Sequence, residues 1–410
     1  MKPYPLSVLR TVALRAQGLD KADGSSPTRD AIYNMVDQIG CVQIDTLHMV
    51  RRSHYLVLWS RLGNYDPVDF DMLTSAADRR LFEGWQHAAS IIPLTEYRFQ
   101  LPHQRNLREH PTNWYNRWLN DTVQRDFVPQ VLERVRSEGA LKVSDFESDG
   151  HQGGTWWNWR PAKVALEFLF ANGELMISDR IKFQRVYDLT ERVLPQWVDM
   201  TEPTVAERDR FWVERGAKAL GVFLPRHAGD YTWMKVSRSK PILESMVKDG
   251  ILIQIQGTLE NGETAQLMIH RDNLHLLERA AGGELKPERT TFLSPFDNLW
   301  WASRRDEQFW SFHQALEAYF PASKRQYGYF CMPILHKDRL VGRFDPKMER
   351  KNGILRVKAI YLEPGVKPDE ELIKGIASAF HDFMAFHSAK ELVIEHSQPA
   401  GLSKKLIKKL

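Results

Sequence analysis

Apolar residues recur at helical spacing in the opening segment, with Leu6, Leu9, Val12 and Ala13 on one face, before a loop over Asp20 to Ser25. Ser26 before Pro27 reads as an N-cap followed by a proline at the first helical position, so a second helix is predicted through Ile32, Met35, Val36 and Ile39 to Gly40. Cys41 to Thr46 then alternates apolar and polar like a short strand. Helical spacing returns between Arg51 and Leu62, with Tyr55, Leu58, Trp59 and Leu62, and stops at Gly63-Asn64.

From Asp121 to Leu194 the pattern predicts a complete module. A helix carrying Val123, Phe127, Val131 and Val135 ends at Gly139, and Leu141 and Val143 flank Lys142 as a very short strand. Ser144-Asp-Phe-Glu147 is a capping box that opens another helix. Pro161 starts a third, with Val164, Phe168 and Leu169, closed by Asn172-Gly173. Two strands follow, Glu174 to Ser178 and Ile181 to Leu189, with the turn expected at Asp179-Arg180. Helix, short strand, two helices and a hairpin is the winged-helix order, a helix-turn-helix with a β-hairpin appended.

The order recurs. Thr204-Val-Ala-Glu207 is a second capping box opening a helix to Leu220, a short helix fits Asp230 to Met234, and another starts at Ser239 to Pro241 and ends at Gly250. Ile251 to Gln256 turns through Asn261-Gly262 into Glu263 to Ile269, a strong hairpin signal. Beyond Ser294 come aromatic-rich turns, then strands over Tyr327 to Leu335, Arg339 to Phe344 and Gly353 to Leu362, and a helix over Asp369 to His387. The expected fold is α+β: an N-terminal helical or winged-helix region over 1–120, winged helices over 121–200 and 201–285, so two or three in tandem, and a β-rich region over 286–410 that carries a basic segment.

Composition narrows the class. The 410 residues are enough for two or three domains at about 150 each, and 43% hydrophobic with 26% charged residues excludes disordered and fibrous chains. The best apolar run, Val164 to Ala171, is interrupted by Glu167 and far below the roughly 18 residues of a membrane span. Met1-Lys-Pro-Tyr-Pro5, then Ser7, Arg10 and Arg15, does not read as a signal peptide, so a cytoplasmic location is expected. Cys41 and Cys331 are expected as two buried thiols rather than a disulfide or zinc framework.

Net charge is only +4, but it is unevenly spread. Between Pro321 and Ile360 ten Lys and Arg, among them Lys337, Arg339, Arg343, Lys347, Arg350 and Lys351, face three acids, a local +7. Lys404, Lys405, Lys408 and Lys409 form a second cluster. Localised positive charge points to a polyanion; a solvated face is the plain alternative.

Most catalytic signatures are absent, including phosphate loops, dinucleotide fingerprints, His-Glu-x-x-His and Gly-x-Ser-x-Gly. His381 and His387, six apart on a helix, do not share a face as a metal pair would. Trp156, Trp157 and Trp159 beside Gly153-Gly154 fit either base stacking or a closed core. Gln43-Ile44-Asp45 is more informative, because residues i and i+2 of a strand point the same way and bring an amide beside a carboxylate. A carboxylate can deprotonate water or stabilise a developing cation while the amide holds that water. Chance occurrence, or Asp45 as a helix N-cap, explains the same three residues.

A wider set of motifs accompanies the triplet: His48, Arg51-Arg-Ser-His54, Leu58-Trp-Ser-Arg-Leu62, Lys163-Val-Ala-Leu-Glu167, Arg185-Val-Tyr-Asp-Leu189, Ser294-Pro-Phe-Asp-Asn298 and Leu340-Val-Gly-Arg-Phe-Asp345. Together they resemble the AlkZ/YcaQ family of winged-helix DNA glycosylases over nearly the whole chain, and most of all its YcaQ (AlkX) branch, whose motif is Gln-x-Asp rather than Gln-x-Gln. The resemblance implies tandem winged helices in a C-shaped arrangement around a basic concave surface. It also implies monofunctional excision of bulky alkylated purines, unhooking of interstrand crosslinks, and catalytic roles for Gln43 and Asp45. The family also inserts a hairpin near the lesion, for which His336 to Arg339 is one candidate here. Arg51, Arg52, Lys337, Arg339, Arg343, Lys347 and Lys351 are the expected DNA contacts.

Alkylation at guanine N7 makes the base cationic, so it leaves without a general acid through an oxocarbenium-like state. Asp45 would stabilise that cation and activate water positioned by Gln43. No metal or organic cofactor, no lysine nucleophile and no partner other than damaged duplex DNA is required, and a monomer is expected. A crosslinked guanine cannot be fully extruded, so an open cleft is expected. Two rival classes remain. One is a tandem winged-helix transcription regulator reading the major groove with Pro161 to Asn172 and Pro241 to Lys248; the other is a sugar or nucleotide hydrolase using the same carboxylate.

Overall fold

The computed structural model describes residues 2–20, 27–146 and 161–410. The helix expected from Pro27 begins at Arg29 instead and is capped by Thr28, whose hydroxyl accepts from the Ala31 amide. Ser26, most of the loop before it, the helix expected from Ser144 onward and the Trp156, Trp157 and Trp159 cluster lie wholly or largely outside the described residues. The chain is mixed α and β, in two compact units. One takes in residues 70–84 and 92–208; the other takes in 1–69, 85–91 and 209–410.

In the smaller unit, helix Thr122–Glu138 leads into strand Leu141–Lys142, and helix Pro161–Ala171 into the hairpin of Leu175–Ile181 and Gln184–Leu189. The second hairpin strand lies in the centre of the three-stranded sheet. Val131, Val135, Leu166, Leu169, Ile177 and Tyr187 share its core, as the apolar spacing predicts. The hairpin turn is at Lys182-Phe183, not at Asp179-Arg180. Both turn residues are left-handed, with φ of 50° and 70°, as a twist-matched two-residue turn needs. Longer pairing sets Arg180 opposite Arg185, and Glu83 accepts from both, at 2.8 and 2.5 Å, which offsets their repulsion.

The larger unit holds a second run of the same order. Helix Val205–Leu220 ends there, followed by strand Val222–Phe223, helices Pro225–Tyr231 and Val236–Lys248, and the hairpin of Leu252–Thr258 and Thr264–His270. The Thr204–Glu207 capping box is present, with both reciprocal bonds formed. The short helix precedes the expected Asp230 to Met234. The next helix starts at Val236, one turn earlier than Ser239, which lies inside it, buried against Gly229, where a Cβ would lie 2.7 Å from its hydroxyl. The opening helix Leu6–Ala16 buries Val8, Leu9 and Val12 in a core shared with this hairpin and with Leu335 and Leu340, so residues 1–69 fold with 209–410.

A mixed sheet in the order Thr290–Phe292, Met332–His336, Arg339–Glu349, Ile354–Leu362 and Glu391–Ile394 closes the unit, with Ser397–Gln398 also paired to the fourth strand. Helix Glu370–Phe386 packs Phe380 and Phe383 against Phe292 and Phe344. Two strand boundaries differ from expectation, the first of them because buried carboxylates take the backbone amides. The Tyr327 and Gly328 amides donate to Glu317, and those of Tyr329 and Phe330 to Asp345, so no strand forms there before Met332. The third strand passes Phe344 through a register shift at Asp345-Pro346 and runs on to Glu349. Cys41 and Cys331 are free and buried. Among the described residues no helix is long and apolar enough to cross a membrane.

Candidate active site

The Gln43-Ile44-Asp45 triplet leaves a strand rather than lying in one. Only Val42–Gln43 is strand, paired antiparallel with Ile91 and Ser90; the Ile44 amide adds one more bond, to the Ala89 carbonyl, before the chain bends. The bend is made by Asp45, whose Oδ1 accepts the Leu47 amide at 2.7 Å. This local turn replaces the helix N-cap alternative, since the N-cap position of helix Ser53–Leu62 is Arg52, seven residues further on. Gln43 is half-buried, its carbonyl accepts from the Ser53 hydroxyl, and its side-chain amide has no hydrogen-bonding partner among the described residues. Both amide donors and the acceptor are therefore available to a water.

The second Asp45 oxygen accepts a hydrogen bond from the Tyr319 hydroxyl at 3.2 Å. Sequence reasoning missed Tyr319, which no local pattern marks. Its short helix Glu317–Tyr319 is held by Glu317 on the Tyr327 and Gly328 amides and by Arg325, which donates to the Glu317 and Phe320 carbonyls. Burial and the Asp45 carboxylate push the Tyr319 phenol up to about 12, so it stays protonated and donates.

Several of the motif residues build the support beneath the triplet. Arg61 and Asp297, both fully buried, form a bidentate pair at 2.7 and 2.9 Å. Arg61 also donates to Gln17 and to the Val57 carbonyl. Asn298, next to Asp297, donates to the Cys41 carbonyl at 2.9 Å and to the Tyr231 hydroxyl, which itself donates to the Ile39 carbonyl. The residues just ahead of strand Val42–Gln43 are thereby clamped from a segment more than 250 positions away.

Basic residues gather on the other side of the bend. Arg52 donates to the Thr46 carbonyl, Arg350 to the Val50 and His48 carbonyls, and the Met348 amide to the Met49 carbonyl. The end of the long strand and its turn at 350–353 thus lie against the 46–50 segment. Partial burial, then Arg350, Arg52 and Arg51, push His48 down to about 4, so it is neutral at pH 7 and no general acid. Arg51 is anchored: its side chain donates to the Phe386 carbonyl and lies over the Phe386 ring, and its amide donates to His387 Nε2. His387 donates from Nδ1 to the Phe383 carbonyl, and burial pushes it down to about 3.

The expected DNA contacts separate sharply. Lys347, Lys351 and Arg339 are exposed, Arg51 and Arg52 half-exposed, and Lys337 pairs with Glu371 at 2.6 Å. Arg343 is different. It is buried, pairs with Glu363 at 2.8 Å, donates to the His313 carbonyl and lies between the Phe312 and Tyr327 rings. Its charge is spent on structure, so the expectation of a phosphate contact at Arg343 is withdrawn. The candidate turn His336 to Arg339 is also engaged internally, through Lys337 to Glu371, Asp338 to Arg10 and the Asp338 carbonyl to Trp310. In the smaller unit Glu167, on the helix that the regulator reading would place in the major groove, accepts from Arg185 Nη1 with both oxygens and from the Tyr187 hydroxyl with one.

The sequence profile of a family described as DNA glycosylase AlkZ-like matches residues 36–386. Among solved structures, the Streptomyces sahachiroi DNA glycosylase AlkZ superposes with a TM-score of 0.64 at 14% identity, over 96% of this chain and all of that one. That likeness is one of fold.

Proposed function

The chain belongs to the AlkZ-like DNA glycosylase family, and on that premise we propose that it is a monofunctional glycosylase for N7-alkylated purines in duplex DNA. Bulky and crosslinked N7 adducts fall within its substrates, because a cationic base needs no acid to leave, and the proton donor beside Asp45, the Tyr319 phenol, is pushed up to about 12 and keeps its proton. The observation that carries the reading is Asp45 itself, a half-exposed carboxylate held by two neutral donors with an unpartnered amide two residues before it. Asp45 stabilises the oxocarbenium-like sugar and takes a proton from water, while Gln43 fixes that water. No lysine acts as nucleophile.

The two helix-strand-helix-hairpin runs are read as winged helices, and the duplex as tracked by Arg52, Arg339, Lys347 and Lys351, with Arg51, Lys337 and Arg350 at its margin. The turn at 350–353 replaces His336 to Arg339 as the hairpin nearest the lesion, on the strength of its contacts with residues 48–50. The protein works as a monomer in the cytoplasm. Incubation with duplex carrying N7-methylguanine should release the base and leave alkali-labile abasic sites. Binding without release would favour the regulator reading instead. Uracil in the same duplex should remain uncut, and its efficient release would mean that an acid has been overlooked.

A further inference from the structure

We propose that Tyr319 is the third member of this site, a positioning residue whose hydroxyl fixes the orientation of the Asp45 carboxylate and whose open ring face receives the cationic base. The proposal rests on the glycosylase reading above and deepens it. The geometry of Asp45 asks for such a residue. One oxygen is committed to the Leu47 amide within its own bend, a contact that leaves the other oxygen free to swing. The Tyr319 hydroxyl supplies the second point of attachment and comes from 274 positions away, so it ties the bend to a separately anchored segment. That segment is rigid by construction: Glu317 and Asp345 between them accept four consecutive amides, from Tyr327 to Phe330.

The ring is the second observation. Tyr319 is 63% exposed and the adjacent Phe320 43%, an aromatic pair standing open to solvent although the phenol tip is engaged. Aromatic faces attract cations electrostatically, and more strongly where water is excluded. An N7-alkylpurine carries its positive charge in a flat ring, so it gains both stacking and this attraction, whereas an unmodified purine gains stacking alone. The ring would thus favour the bases that can leave unaided.

The test is a Tyr319 series on duplex containing N7-methylguanine, with wild-type excision as the reference that must first be present. Without it the glycosylase reading itself has failed, and Tyr319 is not at issue. Tyr319→Phe keeps the ring and loses the hydroxyl; a bond to a charged group contributes about 1.5–3 kcal/mol, so the single-turnover rate should fall roughly 10- to 100-fold with KM unchanged. Tyr319→Leu should show the same fall and a raised KM for the alkylated duplex, with binding of undamaged duplex unaltered. A merely structural role would lower thermal stability and weaken all duplexes alike. Wild-type rates for Tyr319→Phe would overturn the positioning role, and equal KM values for the Phe and Leu variants would overturn the base contact.

Discussion

Two aspartates, one in Gln43-Ile44-Asp45 and one in Ser294-Pro-Phe-Asp-Asn298, show how differently one side chain can be used. Asp297 is fully buried and meets Arg61 in a bidentate pair, with the Leu299 amide on one of the same oxygens. Asp45 is half-exposed and is held by an amide and a phenol, neither of them charged. A carboxylate matched by a buried guanidinium has its charge neutralised in place, and breaking the pair strands an ion. A carboxylate fixed by neutral donors keeps its negative charge available to a developing cation. The arginines divide the same way: Arg343 is enclosed by Glu363 and two rings, whereas Arg350 caps carbonyls at the edge of the site.

Substitutions can break this contrast. The largest effect is expected at Asp45→Asn, which keeps the shape and removes the charge. Excision should fall to background, since loss of a positioned base, about 10²–10⁴-fold, multiplies with loss of electrostatic stabilisation. Melting temperature and duplex affinity should stay near wild type. Gln43→Ala should cost less, on the order of 10²-fold, read in the same single-turnover assay. Arg61→Ala should do the reverse of Asp45→Asn, destabilising the fold by about 3–5 kcal/mol in denaturant unfolding because Asp297 is left buried and unpaired. If Asp45→Asn unfolds the protein while Arg61→Ala spares it, the assignment of site and scaffold is inverted.

Smaller effects sharpen the division among the cations. Neutralising Lys347 and Lys351 together should weaken binding to every duplex and flatten the salt dependence by about one unit per lost contact. Arg343→Gln should leave the salt slope unchanged and lower stability instead. The mildest effect is a pH dependence. His387 is held neutral, down to about 3, so below about pH 6.5 the unfolded chain takes up a proton that the folded one refuses. Stability should therefore fall as pH drops from 6.5 toward 3, and His387→Gln should reduce that slope by at most one proton.

The order of helices and hairpins is legible in the amino-acid sequence, because it follows from apolar spacing, capping boxes and the Asn261-Gly262 turn, all of which act over a few residues. The helix expected over Asp369 to His387 spans Glu370–Phe386, with Asp369 as its cap accepting from Leu372. Two of the errors fall where a distant carboxylate competes with a local pattern. Tyr327 to Phe330 looks like strand, yet its amides go to Glu317 and Asp345. Asp179-Arg180 looks like a turn, yet Glu83 draws Arg180 into the ladder.

By itself the sequence determined the kind of elements present and singled out Gln43 and Asp45, because periodicity, caps and turns are short-range and a resemblance can be carried by a few adjacent residues. What each charged side chain does was decided only by the tertiary structure. Arg343 and Lys347 read alike in the basic segment, and a half-buried Glu363 with two aromatic rings separates them. Asp45 and Tyr319 are 274 positions apart, and Arg61 and Asp297 236. No local pattern records such a pairing, because its energy depends on burial and on the exact position of a partner that only the folded chain supplies.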